Sequence, residues 1–174
     1  WGSAGLEQFL FIVPRLHPAF GVPTVVPGVI SAVAVAAGHN FSLALKSDGT
    51  VWHWGNLVVG QPSTPDDTPG ILSPSAIPDF TNVKSIAAGA GTAAFLNPDG
   101  SAWAMGLLSG NGEPPIQPIV LPVRSLTQGP LDEITCGNTT ALALRPDGTT
   151  LVWGDTSLSG SGISPYQATP VAVP

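Results

Sequence analysis

The residue types that most often carry chemistry are sparse in this chain of 174 residues. It has three histidines, His17, His39 and His53, and one cysteine, Cys136. No two histidines stand at a metal-ligand spacing with a cysteine nearby, so no zinc site is predicted. A single cysteine also excludes an internal disulfide framework. We interpret the histidines as structural or surface residues, and Cys136 as a small buried residue of a strand.

Recurring aspartates make paired-carboxylate catalysis and calcium binding the next functions to consider. The recurring residues are Asp48, Asp99 and Asp147. Each precedes a glycine, and Asp-Gly is typical of a tight hairpin turn whose residues tolerate positive φ, which explains the acids without catalysis. Asp66 and Asp67 lie in a Thr/Pro-rich segment without the spacing of a calcium loop. The sequence therefore predicts no catalytic residue, no metal site and no cofactor.

Glycine-rich segments and glycosylation sequons are the remaining local motifs. Residues 106–112 and 160–162 lack the Lys and the following helix of a phosphate loop, so we interpret them as ordinary loops. Sequons begin at Asn40 and Asn138. Both lie beside a glycine where the chain is expected to enter a central strand, which predicts limited access and leaves glycosylation open.

The charge balance excludes two classes of partner. Five Lys and Arg stand against eleven Asp and Glu, a net charge of −6, and the basic residues are far apart in sequence. Nucleic-acid binding is not expected, because its affinity comes from clustered basic residues. The longest apolar stretch, residues 29–37, is about half of the length that crosses a bilayer, so no membrane span is predicted. The compartment is unknown, although the low charged fraction of 9% favours an extracellular or cell-surface setting.

One pattern occurs three times along the chain, and it determines the fold prediction. A Gly is followed ten residues later by Asp-Gly, and six residues after that Asp by Trp or Met before another Gly. The three copies are Gly38, Asp48-Gly49 and Trp54-Gly55; Gly89, Asp99-Gly100 and Met105-Gly106; and Gly137, Asp147-Gly148 and Trp153-Gly154. The copies are 51 and 48 residues apart. Such a period is typical of solenoids and propellers.

Each copy is predicted to be a β-hairpin of short strands. Apolar residues at period two, such as Leu43 and Leu45, favour a strand over a helix. The hairpins are placed at about residues 33–55, 84–106 and 133–154. The Pro-rich stretches between the copies, such as residues 60–78 and 107–122, are interpreted as loops.

Pro-flanked apolar segments are predicted to form the outermost strands, because proline in sheets is confined to edges. These segments are residues 22–29, 116–123 and 171–173. The resulting units of four strands in about 50 residues predict an all-β propeller.

Residues 38–55, GHNFSLALKSDGTVWHWG, closely resemble the repeat of the regulator of chromosome condensation family, and the other two copies resemble it more loosely. The resemblance implies a propeller of about seven blades. It also implies activities found in the family, as a nucleotide-exchange factor for small GTPases or as a secreted enzyme inhibitor. This chain departs from the family pattern where a His is usual, with Phe41, Thr92 and Thr140, and with Met105 in place of Trp.

We expect residues 1–174 to form a single partial propeller of three to four four-stranded blades within a larger ring. Trp1-Gly2 matches the end of a hairpin whose first half is absent, and we interpret it as the remnant of a preceding blade. The chain is therefore expected to be a segment of a longer polypeptide, or a piece that completes its ring by association.

The favoured function is a non-enzymatic protein-interaction or scaffold module that binds through loops between strands. The loops are residues 56–67, 107–115 and 155–167. Candidate binding residues in and beside them are Asn56, Gln61, Asp66, Asp67, Asn111, Glu113, Asp155 and Tyr166. Two alternatives stay open: a structural component of a larger assembly, extracellular in one version, and an exchange-factor-like or enzyme-inhibitor propeller. The partner is expected to be a protein, either the rest of the same propeller or neighbouring chains.

Overall fold

Three antiparallel sheets make up the described part of the chain. The computed structural model describes residues 25–39, 41–55, 71–106, 119–125, 129–155 and 166–173. Within these ranges the chain forms twelve β-strands and no helix, and each sheet takes four consecutive strands in chain order. The all-β prediction is thereby confirmed.

The strand bounds repeat from sheet to sheet. The first sheet contains β1 (Ala32–Ala37), β2 (Phe41–Lys46), β3 (Val51–Gly55) and β4 (Ile71–Ala76). The second contains β5 (Ser85–Ala88), β6 (Thr92–Leu96), β7 (Ala102–Gly106) and β8 (Ile119–Arg124). The third contains β9 (Glu133–Cys136), β10 (Thr140–Leu144), β11 (Thr150–Asp155) and β12 (Tyr166–Ala172).

Period-two patterning decides which side chains meet between sheets. In β2, Leu43 and Leu45 pair across the sheet with His53 and Val51, so these four side chains share one face. That face packs against the second sheet. The members of this first cluster that are buried are Phe41, Leu43, Leu45, Val51, Ile77, Phe80, Val83, Ala93, Phe95 and Met105.

A second apolar cluster joins the second and third sheets. Its buried members are Ala87, Ala94, Leu96, Ala102, Leu131, Ile134, Ala141, Ala143, Leu151 and Trp153. Many of these residues are alanines, which let the two sheets approach closely. The middle sheet is therefore covered on both faces. Each apolar core lies between two neighbouring sheets, and no sheet has a core of its own.

Each Asp-Gly turn is a three-residue loop. In the first, Gly49 N–H donates to Lys46 C=O at 2.9 Å, and Lys46 N–H donates to Thr50 C=O at 2.9 Å. Only the glycine has positive φ, +79° at Gly49, +77° at Gly100 and +85° at Gly148. The expectation that the aspartate also supplies positive φ is wrong, because a type I turn followed by one left-handed residue needs only the glycine there.

Main-chain hydrogen bonds fasten each of the first two turns to the sheet that follows. Val83 N–H donates to Gly49 C=O at 3.0 Å, and Leu131 N–H donates to Gly100 C=O at 3.1 Å. Both donors lie in the segment that leads into the next sheet. Neighbouring sheets are thus joined by apolar packing and, at the Asp-Gly turn, by a main-chain hydrogen bond.

Proline occupies the same place in every outermost strand. Pro74, Pro122 and Pro170 lie at the register shift where β4, β8 and β12 pair with the preceding strand. Proline has no N–H to donate, so at this position it costs no ladder bond and blunts the exposed edge. The prediction that Pro-bearing segments form the outermost strands holds for β8 and β12.

Two predictions about the connecting segments are wrong. Residues 71–76 were expected within a loop but form β4, because Ser73-Pro74-Ser75 has loop composition although its neighbours pair with β3. The described part of segment 22–29, residues 25–29, is not a strand. Trp1 and Gly2 lie outside the described residues.

The two glycines Gly100 and Gly148 should respond very differently to substitution by alanine. A Cβ at Gly100 would lie 2.7 Å from Pro130 Cα, whereas one at Gly148 would meet no atom within 4 Å. Gly148→Ala should lower the free energy of unfolding by about 1–2 kcal/mol, the cost of a left-handed alanine. Gly100→Ala should cost several kcal/mol more. Urea titration followed by tryptophan fluorescence measures both, and equal losses would show that the contact between turn and following sheet contributes nothing.

Candidate interaction surface

Because consecutive strands are antiparallel neighbours, the connections between them alternate between the two ends of each sheet. The Asp-Gly turns lie at one end, which we call the aspartate end. The turns 38–41, 89–92 and 137–140 lie at the other, together with the ends of β3, β7 and β11, and we call this the glycine end. The register places them there, since Phe41, Thr92 and Thr140 pair with Gly55, Gly106 and Gly154.

The three long connections also leave the sheets from the glycine end. Gly55 pairs with Ile71, 16 residues later, whereas Gly106 and Gly154 pair with residues 13 positions later, Ile119 and Gln167. From the end of one sheet to the start of the next, Ala76 to Ser85 and Arg124 to Glu133, the spacing is nine residues both times. The difference between the repeat lengths of 51 and 48 therefore lies wholly in a connection at the glycine end.

A shallow cleft of about 370 Å³ opens where the three glycine turns converge. Its lining consists of Ala37, Gly38, His39, Ala88, Gly89, Ala90, Gly137 and Asn138. Each turn is closed by a main-chain bond from its glycine N–H to the carbonyl three residues on, at 2.9 Å in the first and 2.7 Å in the other two. This cleft was not predicted from the sequence, although the repeated glycine at a fixed offset was its visible signal.

Close approach of two turns explains why a glycine is required at Gly89. A Cβ there would overlap the carbonyl oxygen of Gly137, so the second and third turns touch through their main chains. In the first turn, a Cβ at Gly38 would overlap the ring of Phe41 instead. The floor of the cleft is therefore formed by the main chain of these glycine turns and by few side chains.

Of the eight candidate binding residues, two fall within the described residues. Asp155 and Tyr166 are opposite each other in the pairing of β11 with β12, at the glycine end. Asp155 N–H donates to Thr139 C=O at 2.9 Å, and Thr140 Oγ1 donates to Asp155 C=O at 2.5 Å. These bonds place Asp155 beside the turn that carries Asn138. The other six, Asn56, Gln61, Asp66, Asp67, Asn111 and Glu113, lie outside the described residues.

The two histidines within the described residues do not come together. His39 is exposed at the cleft, and His53 lies half-buried in β3 with Nε2 3.4 Å from Ser75 Oγ. Burial lowers the pKa of His53, which favours its neutral form. His17 lies outside the described residues. Across the described ranges, no three His, Cys, Asp or Glu residues are grouped so that they could hold a metal ion.

Cys136 is a packing residue between the second and third sheets. It lies against the second apolar cluster, and its Cβ is 3.3 Å from the position a Cβ would take at Gly89. Burial raises the pKa of the Cys136 thiol to about 12. A thiol with such a pKa is protonated at neutral pH and is a poor nucleophile.

The recurring aspartates hold their own turns. Asp48 Oδ1 accepts hydrogen bonds from Thr50 Oγ1 at 2.6 Å and from Thr50 N–H at 2.9 Å. Asp99 Oδ1 accepts the same pair from Ser101, at 2.6 and 2.8 Å. Asp147 Oδ1 accepts a bond from the Thr149 N–H at 2.8 Å.

These hydrogen bonds lower the pKa of all three carboxyls. The hydroxyl bond is the largest cause for Asp48 and Asp99, and the main-chain bond from Thr149 is the largest for Asp147. Each carboxylate therefore accepts hydrogen bonds from its own turn and stabilises that turn.

Two sequence features concern access from outside. Asn138 is exposed at the tip of its turn, so the expectation of limited access at this sequon is wrong, while Asn40 lies outside the described residues. Over the described ranges, the structure contains no helix that is long and apolar enough to cross a membrane.

Comparison with known proteins identifies the repeat. The family model described as "Regulator of chromosome condensation (RCC1) repeat" matches residues 32–61. The human probable E3 ubiquitin-protein ligase HERC6 is 28% identical over 145 residues, which cover 78% of this chain and 14% of the ligase. The mitochondrial RCC1 domain-containing protein RUG3 of Arabidopsis thaliana is 26% identical over 190 residues, covering 99% of this chain and 42% of RUG3.

Solved structures give the fold. Yeast RCC1 (Prp20), in its complex with Kap60, superposes with a TM-score of 0.67 at 20% identity, covering 84% of this chain and 38% of the yeast protein. The described sheets are therefore blades of a partial β-propeller. Residues 32–61 match the repeat of the regulator of chromosome condensation family, and the chain as a whole is similar to proteins that contain this repeat. It spans less than half the length of the relatives named above.

The thiol of Cys136 should be protected from reagents that attack thiolates. In the folded protein at pH 8, labelling by a disulfide reagent should be slower by more than about 100-fold than in urea, where an ordinary thiol pKa of about 8.5 returns. Absorbance of the released thiol reports both rates directly. A folded-state rate within tenfold of the unfolded rate would contradict the raised pKa of Cys136 and its packing against the second apolar cluster.

The turn carboxylates should make stability fall in acid. Because their pKa values are lowered by folding, their contribution is complete above the unfolded value near 3.8 and is lost as the pH falls through the folded values. The triple variant D48N/D99N/D147N should therefore show a flatter loss of stability below about pH 5. Urea midpoints measured across this range test it, with Asp132→Asn as a control that removes an exposed carboxylate outside these turns.

Proposed function

We propose that this chain is a non-enzymatic protein-interaction module that binds its partner through the glycine end. The observation that carries the proposal is the location of the one variable connection. The described turns and the links between sheets keep their length from repeat to repeat, and the three-residue difference occurs between Gly55 and Ile71. In repeat proteins, such variation maps to loops on one face, often the binding face.

The chemistry of the described surface supports a protein partner. The cleft combines small apolar side chains with exposed His39 and Asn138 at its rim, and Asp155 is exposed beside it. A surface of mixed polarity with few charges suits an extended or loop-shaped protein segment better than a phosphate backbone. The other features that recur in each repeat, the turn aspartates and the strand residues, already have structural roles.

The proposal predicts that one end of the propeller tolerates substitution and the other does not. Asn138→Arg places a large cation at the glycine end, and Ser47→Arg places the same group on an exposed residue at the aspartate end. Once a partner has been isolated on the immobilised chain, Asn138→Arg should weaken its binding at least about tenfold, as expected for a charge forced into an interface. Ser47→Arg should leave binding within about twofold.

Calorimetry or surface plasmon resonance measures both dissociation constants, and urea midpoints show whether the variants are equally folded. A partner that responds to Ser47→Arg and not to Asn138→Arg would move the binding surface to the aspartate end. If the isolated partner is a small GTPase whose nucleotide release the chain accelerates, the exchange-factor alternative replaces the scaffold function.

A further inference from the structure

Charged residues are divided unevenly between the two ends of the sheets. Every Lys and Arg that the structure describes lies at the aspartate end, and these residues are Lys46, Lys84, Arg124 and Arg145. Acids lie at the same end, in the Asp-Gly turns and in the links between sheets, and they are Asp48, Asp79, Asp99, Asp132, Glu133 and Asp147. Both signs of charge are therefore mixed at the aspartate end.

The glycine end has the opposite character, because its charge is of one sign. Asp155 is the one Asp, Glu, Lys or Arg that the structure describes there, and it is exposed. The connections that begin and end at the glycine end are residues 56–70, 107–118 and 156–165. Their sequences contain Asp66, Asp67 and Glu113 and no Lys or Arg. A ligand that approaches this end therefore meets negative charge.

The basic residues of the aspartate end are too far from the cleft to offset this charge. A strand of five residues, such as β6, is about 17 Å long at about 3.3 Å per residue. The Debye length at physiological ionic strength is about 8 Å. Charges at one end of the sheets are thus largely screened at the other end, and the acids of the glycine end determine the potential at the cleft.

Main-chain hydrogen bonds hold Asp155 beside the cleft. Its N–H donates to Thr139 C=O at 2.9 Å, and its C=O accepts from Thr140 Oγ1 at 2.5 Å. Both partners belong to the turn whose Asn138 lines the cleft. Because neither bond uses the carboxylate, a substitution of the Asp155 side chain leaves both of them in place.

The lining of the cleft suits the two parts of a Lys or Arg side chain. Such a side chain has an apolar stem and a charged head, and it lays the stem along an apolar surface while the head reaches a polar partner. Ala37, Ala88 and Ala90 offer a small apolar surface for the stem. The amide oxygen of Asn138 and the carboxylate of Asp155 are acceptors for the head.

We propose that the cleft at the glycine end binds a basic protein segment, an extended stretch in which Lys or Arg alternates with small residues. The inference rests on the proposed function, because it specifies the chemistry of the partner for that same surface. Charge complementarity selects this occupant, since an acidic segment would meet like charge at every charged group of this end.

A short labelled peptide that alternates Lys with Ala is the probe, and the same peptide with Glu in place of Lys is its control. Fluorescence anisotropy at pH 8, where imidazole groups such as that of His39 are uncharged, measures both affinities. The Lys peptide should bind saturably and the Glu peptide should not bind. Raising the salt from about 0.1 M to about 1 M, which shortens the Debye length from about 10 Å to about 3 Å, should weaken binding at least about fivefold.

Two matched charge reversals locate the contact. Asp155→Lys changes the charge of the glycine end by two units, and Asp132→Lys makes the same change at an exposed residue of the aspartate end. Asp155→Lys should weaken binding of the Lys peptide at least about tenfold, because two like charges then face each other. Asp132→Lys should leave it within about twofold, because its charge is screened at the cleft.

Two substitutions at Asn138 separate the effect of charge from that of shape. Asn138→Asp keeps the size of the side chain and adds a negative charge, so it should tighten binding of the Lys peptide about threefold. Asn138→Arg should weaken it. Urea midpoints of all four variants show whether they are folded as the unmodified chain is.

Four outcomes would overturn the proposal: neither peptide binds, the Glu peptide binds as tightly as the Lys peptide, Asp132→Lys weakens binding as much as Asp155→Lys, or Asn138→Asp weakens it. The proposed function is tested separately, on an isolated partner with Asn138→Arg and Ser47→Arg. A partner whose binding is lost in Asn138→Arg and unchanged in Asp155→Lys would keep the glycine end as the binding surface and would contradict only its preference for a basic segment.

Discussion

The joint between neighbouring blades is the interaction on which the rest of this structure depends. A single four-stranded sheet of this size has two faces to cover and little core of its own. Here the middle blade is covered on both sides, by a cluster rich in aromatic and branched residues on one and by a cluster rich in alanine on the other. Main-chain hydrogen bonds from Val83 N–H to Gly49 C=O and from Leu131 N–H to Gly100 C=O also join successive blades.

The joint also separates the structural from the variable parts of the repeat. Strand residues and the aspartate-end turns supply the packing and the hydrogen bonds, and they recur at fixed offsets. The glycine end contributes close main-chain contacts, above all between Gly89 and Gly137, but it also releases the long connections. The connections there can differ in length and composition while the joints keep their geometry.

Much of the fold could be predicted from the sequence because its determinants are local. Period-two residues such as Leu43 and Leu45 and the Asp-Gly turns identify the hairpins without knowledge of any distant contact. β4 escaped prediction because Ser73-Pro74-Ser75 has the composition of a loop, and only its pairing with β3 makes it a strand. The cleft also escaped, since it depends on three turns far apart in sequence meeting in space. Six of the eight candidate binding residues lie outside the described residues, so their assignment remains a prediction.

The eight-residue link between successive sheets has a consequence for how proteins of this kind change size. A duplication or deletion of one whole repeat replaces one joint by another with the same geometry, so the ring gains or loses a blade without redesign of its neighbours. A change of one residue within that link would instead shift the residues that contact the preceding turn, Asn82 in the first link and Pro130 in the second. Blade number can therefore drift in evolution by whole units, whereas the link that sets the step is held to a fixed length.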